Sequence, residues 1–487
     1  MRTTGPRTPP TLYGSAFTYF GKAGQAFRRG LWGPQLRRSR NPSLGVPEAL
    51  LAVLAGAFAT STAACGGADA GSPSRASQGD AGAATDGPVV TDGPVRDSPV
   101  TDARVVDAPV ADGSVPEQVE AGAEAAAAAE AGEPWMALAI AACTPDIYTV
   151  PVLIGAQTFQ LGIDTGSTTL GVASTSCTNC GVTPEYTPGS TATDENEMAN
   201  AQYGMGSWTG QIYQDTVVAG GEGPVPVKLV AIDTQSQFFT PIECDSKSSM
   251  NQQGILGLGP AAAAERGTNG YFDDLVKTAN IPNVFATQLC DSGGTLWLGG
   301  YDPSATTAAP VYTPMNSELA NYYYAVNLVS ITVDGTSVPV GTTSLPDSIA
   351  DTGTSVFILP TAAFTSLSNA IAADSGFQSV FGQSAATFFS AQDNCLVINK
   401  TKAELDSMLP PLTLVFGSNP AVSVQAAPTE SYLIQYDTQW CSALLGEEAG
   451  SLGPIAAIMG SPVLRSNVVI FDRANKRIGF APHAPCN

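Results

Sequence analysis

The chain has 487 residues, 43 acidic and 21 basic, and one histidine, His483, near the C-terminus. A Ser-His-Asp or Cys-His mechanism needs a histidine on a scaffold, and an HExxH zinc site needs two, so neither fits this inventory. A net charge of −22 leaves no basic stripe to displace phosphate counterions, which argues against a nucleic-acid partner.

Residues 1–64 hold eight basic residues and one acid, Glu48. Arg28, Arg29, Arg37, Arg38 and Arg40 precede an apolar run from Ala49 to Ala59, then the small residues Ser61-Thr62-Ala63-Ala64, then Cys65. Basic stretch, short apolar run and small-residue zone in that order describe an export signal. The run is too short for a bilayer core of ~30 Å. The first thirty residues exceed what such a leader needs, which places the expected translation start downstream. Thr62-Ala63-Ala64-Cys65 resembles a bacterial lipobox, and the resemblance implies lipidation of Cys65 and a cell-envelope lipoprotein; without it the protein is secreted. Of nine cysteines, eight remain when Cys65 is set aside, an even set suited to disulfides in an oxidising compartment.

From 65 to 141 the composition is Ala, Gly, Asp, Pro, Ser and Val, with Trp135 the only aromatic residue and Asp recurring at 86, 92, 97, 102, 107 and 112. Such a segment cannot bury enough apolar area to offset its ordering entropy and reads as a disordered acidic tether with a reach of roughly 50 Å. Residues 142–487 change texture. Short Val/Ile/Leu/Tyr/Phe/Thr runs alternate with Gly, Pro, Asn and Asp, among them 148–154, 227–232, 296–298 and 323–329. This predicts a mainly β domain. Helical patterning is sparse, clearest at 272–279, 362–373 and 402–408.

An internal repeat stands out. Leu161-Gly-Ile-Asp164-Thr165-Gly166-Ser167 recurs as Ser348-Ile-Ala-Asp351-Thr352-Gly353-Thr354. Each copy is a strand running into Asp-Thr-Gly and a hydroxyl residue. Glycine allows a sharp turn and close backbone approach. The Thr hydroxyl can lock onto a facing loop, and Ser167 or Thr354 can orient its own Asp. If the loops face each other, Asp164 and Asp351 cannot both ionise and would share a proton. Such a pair can hold a water, one carboxylate taking its proton while the other polarises a carbonyl.

On these residues the sequence resembles the pepsin-like aspartic proteases over 142–487. Further matches follow in order: Tyr203-Gly204-Met-Gly-Ser-Trp208-Thr-Gly as the substrate-covering flap, Gly254-Ile-Leu-Gly-Leu-Gly259 and Ala457-Ile-Met-Gly460 as the segments threading beneath the two Asp loops, Leu298-Gly-Gly-Tyr-Asp302, Phe471-Asp-Arg-Ala-Asn475 and Ile478-Gly-Phe480. The resemblance implies a bilobal fold of two β-barrel-like lobes, 142–315 and 316–487, with a cleft between them. It implies an endopeptidase acting on polypeptides through an activated water, as a monomer, with no cofactor or metal and with membrane contact only through a lipid on Cys65. Its usual Trp seven residues after the first Asp is here Gly171, which leaves Tyr203 without its customary anchor. Thr169 stands where Asn is common, and Ser461-Pro462 follow Gly460 where Asp is typical; Ser as N-cap and Pro at the first helical position would still start a helix.

The resemblance also implies a Cys395–Cys441 disulfide and a small Cys177–Cys180 loop. A CxxC could instead be redox-active or half a zinc site, but no second CxxC is present. Elimination leaves Cys244–Cys290 and Cys143–Cys486 among 105 possible pairings of eight cysteines. The protease part carries 29 acids and ten bases. That balance suits acid operation, and equally plain solubility. The tether contains no lysine, so no basic inhibitory prosegment is expected. The rival readings are a non-catalytic binding protein of the same fold, which commonly loses an Asp or the flap Tyr, and a surface lipoprotein using the tether for display.

Overall fold

A computed structural model describes residues 136–487, apart from 145, 146, 205, 240–251, 317, 341–343, 391–393, 418–420, 449 and 487, and apart from the side chains of 143, 144 and 222. The leader, Cys65, the tether as far as 135, and Cys244 therefore lie outside the described residues.

The first half of the domain supplies β1 (Met136–Thr144), β2 (Ile147–Ile154), β3 (Gln157–Asp164), β4 (Leu170–Ala173), β5 (Thr193–Gln202), β6 (Ser207–Ala219), β7 (Glu222–Ser236), β8 (Gly254–Gly257), β9 (Val284–Cys290) and β10 (Gly293–Leu298). The second supplies β11 (Val311–Pro314), β12 (Ala325–Val333), β13 (Thr336–Val338), β14 (Leu345–Ala350), β15 (Phe357–Pro360), β16 (Cys395–Val397), β17 (Leu412–Phe416) and β18 (Val422–Ala426). It continues with β19 (Leu433–Tyr436), β20 (Gln439–Ser442), β21 (Leu444–Glu447), β22 (Ala457–Met459), β23 (Asn467–Asp472) and β24 (Arg477–Pro482). The helices are α1 (Tyr271–Ala279), α2 (Thr361–Ala373), α3 (Ser375–Phe381), α4 (Lys402–Met408) and α5 (Ser461–Leu464). None of them is long and apolar enough to cross a membrane.

Thirteen strands form one sheet in the order β11-β24-β23-β9-β10-β1-β2-β3-β8-β4-β7-β6-β5. Eight form a second, β18-β17-β12-β14-β22-β15-β21 with β13 on β12, and β16-β20-β19 a third. The architecture is mainly β, and one arrangement occurs twice. β3 runs parallel to β8, which pairs antiparallel with β4, which runs parallel to β7. In the second half β14, β22, β15 and β21 repeat those relations. The duplicated Asp motif is thus the visible trace of a duplicated sheet, each copy lying where β3 or β14 gives way to a turn.

Alternation explains the strands. In β6 every second residue from Trp208 to Gly210 and Ile212 is buried, the period of a pleated ribbon with one covered face. β23, NVVIFD, is buried at every position, as a central strand covered on both faces must be. Helix α4 begins at a capping box. The Thr401 hydroxyl accepts from the Glu404 N–H, and the Glu404 carboxylate accepts from the Thr401 N–H at 2.8 Å. Where the halves meet, Phe285 of β9 stacks on Phe471 of β23 at 4.6 Å, and Tyr324 packs edge-on to Phe471 at 4.7 Å.

Four details depart from the sequence reading. β1 begins at Met136, inside the segment assigned to the tether, and pairs Met136 with Leu298. Its odd positions are hidden in low complexity: Met136, Leu138 and Ile140 are buried while the intervening alanines face out, so a partner strand makes use of an alternation that composition obscures. Cys290 bonds to Cys486, which overturns both the Cys244–Cys290 and the Cys143–Cys486 pairings. The β23–β9 ladder brings the end of β9 and the C-terminal tail together, so that the disulfide spans 196 residues of sequence. Disulfides also join Cys177 to Cys180 and Cys395 to Cys441. At α5 the N-cap is Gly460, not Ser461, and Ser461 is already helical. The Ser461 N–H is taken by Thr354 O at 2.7 Å, which pulls the chain into the turn one residue early, and its buried hydroxyl has no hydrogen-bond partner among the described residues. Finally, α3 follows α2 with only Asp374 between them, capping α3 by accepting from Phe377 N–H.

The C-terminal tail is clamped by charge as well as by sulfur. Lys402 bridges Glu430 at 2.7 Å and Asp291 at 2.9 Å, Arg465 meets Asp291 at 2.8 Å, and His483 lies 3.9 Å from Glu430. The Glu430 partnership raises His483 above its ordinary value. Burial works against the Glu430 charge, but His483 and Lys402 outweigh it and hold the carboxyl at about 2. A raised histidine stabilises the fold below its unfolded value of 6.5 and loses that contribution as pH rises through the folded one. A depressed glutamate stabilises above its unfolded 4.5 and loses it as pH falls towards 2. The clamp is therefore strongest between pH 4.5 and 6.5. In urea titrations, the stability gap between wild type and His483→Gln should be present at pH 5 and shrink above pH 7. A gap that does not change with pH would count against the clamp.

Candidate active site

Strand β3 ends at Asp164 and β14 at Ala350, immediately before Asp351, and each chain segment then turns through Thr-Gly. The two turns interlock. The Thr165 N–H donates to Thr352 Oγ1 at 3.1 Å, and the Thr352 N–H donates to Thr165 Oγ1 at 3.0 Å. Each hydroxyl in turn donates across the interface, Thr165 to Ala350 O at 2.8 Å and Thr352 to Ile163 O at 3.0 Å. Four reciprocal bonds between buried groups leave the two loops little freedom to slide.

Each carboxylate is oriented by its own loop. Asp164 accepts from the Gly166 N–H at 2.8 Å and from the Ser167 hydroxyl. Asp351 accepts from the Gly353 N–H at 2.9 Å and the Thr354 hydroxyl at 2.6 Å. The carboxylates themselves lie side by side. A Cβ placed on Gly353 would stand 2.5 Å from Asp164 Oδ1 and 3.3 Å from Asp351 Oδ1; one on Gly166 would stand 2.7 Å from the Asp351 carboxyl carbon. Both Asp residues are nearly buried, 6% and 8% exposed. Burial, followed by the neighbouring Asp351 charge, pushes Asp164 well above the usual carboxylate range, against the Ser167 and Gly166 bonds.

The two threading segments explain their glycines. A Cβ at Gly257 would strike Thr168 C at 2.3 Å, and one at Gly460 would strike Thr354 O at 2.4 Å. The backbones of β8 and of the β22–α5 junction run directly beneath the Asp loops, and only a residue without a side chain fits there.

The β5–β6 hairpin carries Tyr203 at its turn, closed by the Tyr203 N–H donating to Gly206 O at 2.9 Å, with Gly204 exposed at the tip. Burial, then the Asp164 charge, raises the Tyr203 phenol, while Trp208 and Ser167 act in the opposite direction. The Tyr203 ring sits 6.4 Å from Trp208 and 5.2 Å from Phe238. Gly171 has no room for the large side chain the family usually carries: a Cβ there already meets Ile232 Cδ1 at 3.2 Å and Ile255 Cγ2 at 3.5 Å. Trp208 is buried on the same hairpin, and its side chain acts on the Tyr203 phenol.

Three neighbours escaped the sequence reading. Thr169 Oγ1 accepts from the Glu265 N–H at 2.8 Å and meets Thr268 Oγ1 at 2.9 Å, which fastens the 265–268 turn to the first Asp loop. Glu265 is thereby half-buried, and burial pushes its carboxyl up to about 7. Tyr323 is raised by burial and then by the charges of Asp351, Asp164 and Glu265, so it borders the same pocket of charge. Phe238 is the third. No local pattern marks them, because Glu265 reaches Thr169, Tyr323 the field of the Asp pair and Phe238 the Tyr203 ring only through the fold.

Interlocked Asp-Thr-Gly turns on a duplicated sheet define a class of mainly β hydrolase fold. The sequence family described as "Eukaryotic aspartyl protease" matches residues 147–483. An aspartic protease of Phaffia rhodozyma is 28% identical over 342 residues, covering 69% of this chain and 76% of that protein. Pepsin A of Sus scrofa is 27% identical over 347 residues, covering 69% and 80%, and pepsin A of Gallus gallus 27% over 348 residues, covering 69% and 83%. The chain belongs to the eukaryotic aspartyl protease family and is an aspartic-type endopeptidase, a peptide hydrolase.

Proposed function

We propose that Asp164 and Asp351 share one proton and activate a water for attack on the scissile carbonyl of a polypeptide held beneath Tyr203. One carboxylate takes a proton from the water as the oxygen–carbon bond forms, and the other gives its proton to the carbonyl oxygen. The resulting gem-diol collapses with proton return to the amide nitrogen, releasing acid and amine. The observation that carries this is the reciprocal threonine lock, which holds two buried carboxylates side by side with one of them driven towards its neutral form. Ser167, Thr354, Gly166 and Gly353 orient the pair, and the division into lobes falls near residue 315.

Because the mechanism needs a proton on the pair, cleavage should be favoured in acid. Digestion of an unfolded protein from about pH 3 to 7 should give a rate that falls on the alkaline side as Asp164 loses its proton. A rate that climbs steadily to neutrality would overturn the assignment. At the level of the whole chain, the run from Arg28 to Cys65 supports export and a lipid anchor at the cell envelope, while the family resemblance supports a monomer. The export and anchor part of the reading rests on sequence outside the described residues.

A further inference from the structure

The hairpin bearing Tyr203 lacks its customary anchor, yet it is not loose. Gly206, in a left-handed backbone conformation with φ +93°, lies so close to the neighbouring strand end that a Cβ would stand 2.6 Å from both Gln237 C and Phe238 N. The hairpin therefore leans on the segment 235–239, whose Phe238 ring faces Tyr203 at 5.2 Å and meets Phe239 edge-on at 4.9 Å. The β6–β7 ladder holds it as far as Ser236, opposite Ser207, and beyond that point the Gln235 side chain takes over. Gln235 Oε1 accepts from the Phe238 N–H at 2.9 Å and from the Phe239 N–H at 3.3 Å. Gln235 Nε2 donates to Asn179 O at 2.7 Å. Asn179 returns the contact: its Nδ2 donates to Gln235 O at 2.7 Å, and its Oδ1 accepts from the Gln235 N–H at 3.3 Å. Asn179 in turn lies inside the four-residue loop closed by the Cys177–Cys180 disulfide.

We propose that Gln235 is a positioning residue for peptide hydrolysis: through it, the Cys177–Cys180 loop fixes the Phe238–Phe239 wall against which Tyr203 and its hairpin are held. The role rests on the reading of Tyr203 as the residue that covers substrate. A disulfide over three residues leaves Asn179 few conformations. Its reciprocal bonds pass that restriction to Gln235, and the Gln235 amide passes it to two consecutive backbone N–H groups. Chain ordering that would otherwise be required on substrate binding is completed beforehand, and pre-ordering of this kind appears in KM more than in the chemical step.

The test uses the full chain and an unfolded protein or peptide substrate. Gln235→Ala removes three side-chain hydrogen bonds from a partly exposed site, and should lower kcat/KM about tenfold, mostly through KM, with kcat changed less than about threefold. Asn179→Ala should give a smaller loss of the same kind, and Gln235→Glu, which keeps the acceptor to Phe238 and Phe239, should recover part of the rate. In a Tyr203→Ala background Gln235→Ala should cost almost nothing more, because the ring it positions is gone. Losses that add fully to that of Tyr203→Ala, or a Gln235→Ala enzyme with unchanged KM, would overturn the relay. So would a Gln235→Ala loss carried entirely by kcat. A circular-dichroism melt of each variant identifies misfolding; should Gln235→Ala misfold, the Asn179→Ala comparison, on an exposed loop, decides in its place. Asp164→Asn run alongside separates the two ideas. Cleavage that survives it removes the dyad reading, whereas cleavage lost there but unaffected in Gln235→Ala and Asn179→Ala removes the relay alone.

Discussion

Asp164→Asn and Asp351→Asn should each lower kcat/KM by about 10⁴-fold or more, because removing one member of a catalytic unit costs nearly as much as removing all of it. Asn can accept and donate a hydrogen bond but cannot exchange a proton with water, so both the base and the acid halves of the cycle fail. The loops should stay in place, since the lock between them runs through Thr165 and Thr352, not through the carboxylates. A second consequence has the opposite sign. Asp164 is raised in the fold, so the folded state holds a proton that the unfolded chain releases above its ordinary 3.8. Stability from this group is complete below that value and is lost as pH rises through the folded one. At pH 7 the wild type therefore bears a cost that Asp164→Asn avoids. The variant should be inactive yet melt higher than wild type at neutral pH, with the difference vanishing near pH 3. Activity retained by either variant would remove the proposed mechanism, and a melting difference independent of pH would contradict the raised Asp164.

Gly166→Ala and Gly353→Ala should be almost as damaging, for a steric reason. The added methyl on Gly353 would occupy a point 2.5 Å from Asp164 Oδ1, and that on Gly166 a point 2.7 Å from Asp351 Oδ2. Real carbon–oxygen contacts are longer than this, so the opposite carboxylate or its loop must move by several tenths of an ångström or more. Misplacements of about 1 Å at a reacting group cost about 10²-fold, and a loss of 10²- to 10³-fold is expected for each variant. Each substitution acts on the carboxylate of the other half of the molecule, which a defect confined to one loop would not do. Steady-state kinetics and a thermal melt check the pair together: activity should fall far more than the melting temperature. A fully active Gly353→Ala enzyme would mean that the carboxylates do not face each other as closely as the geometry requires.

The duplicated Asp-Thr-Gly-hydroxyl pattern was readable because all of its chemistry is local: a strand end, a turn glycine, and a hydroxyl within reach of its own Asp. The mainly β class was readable for a similar reason, since period-two burial is written into consecutive residues such as those of β6. β1 was missed because its Met-Leu-Ile alternation sits among alanines that also suit a disordered tether. The role of Ser461 was displaced by one residue because the deciding contact, to Thr354 O, comes from the second Asp loop.

Residue types and spacing by themselves determined which groups could act and which partners each could find within a few positions. Only the tertiary structure decided which distant pieces meet: that Cys290 takes Cys486, that Ile232 and Ile255 fill the place beside Gly171, and that the Glu265 N–H is held by Thr169 of the first Asp loop. The physical reason is that a hydrogen bond or turn between near neighbours is constrained by chain geometry itself. A contact between residues nearly two hundred positions apart is selected by how whole sheets pack, which no short stretch of sequence contains.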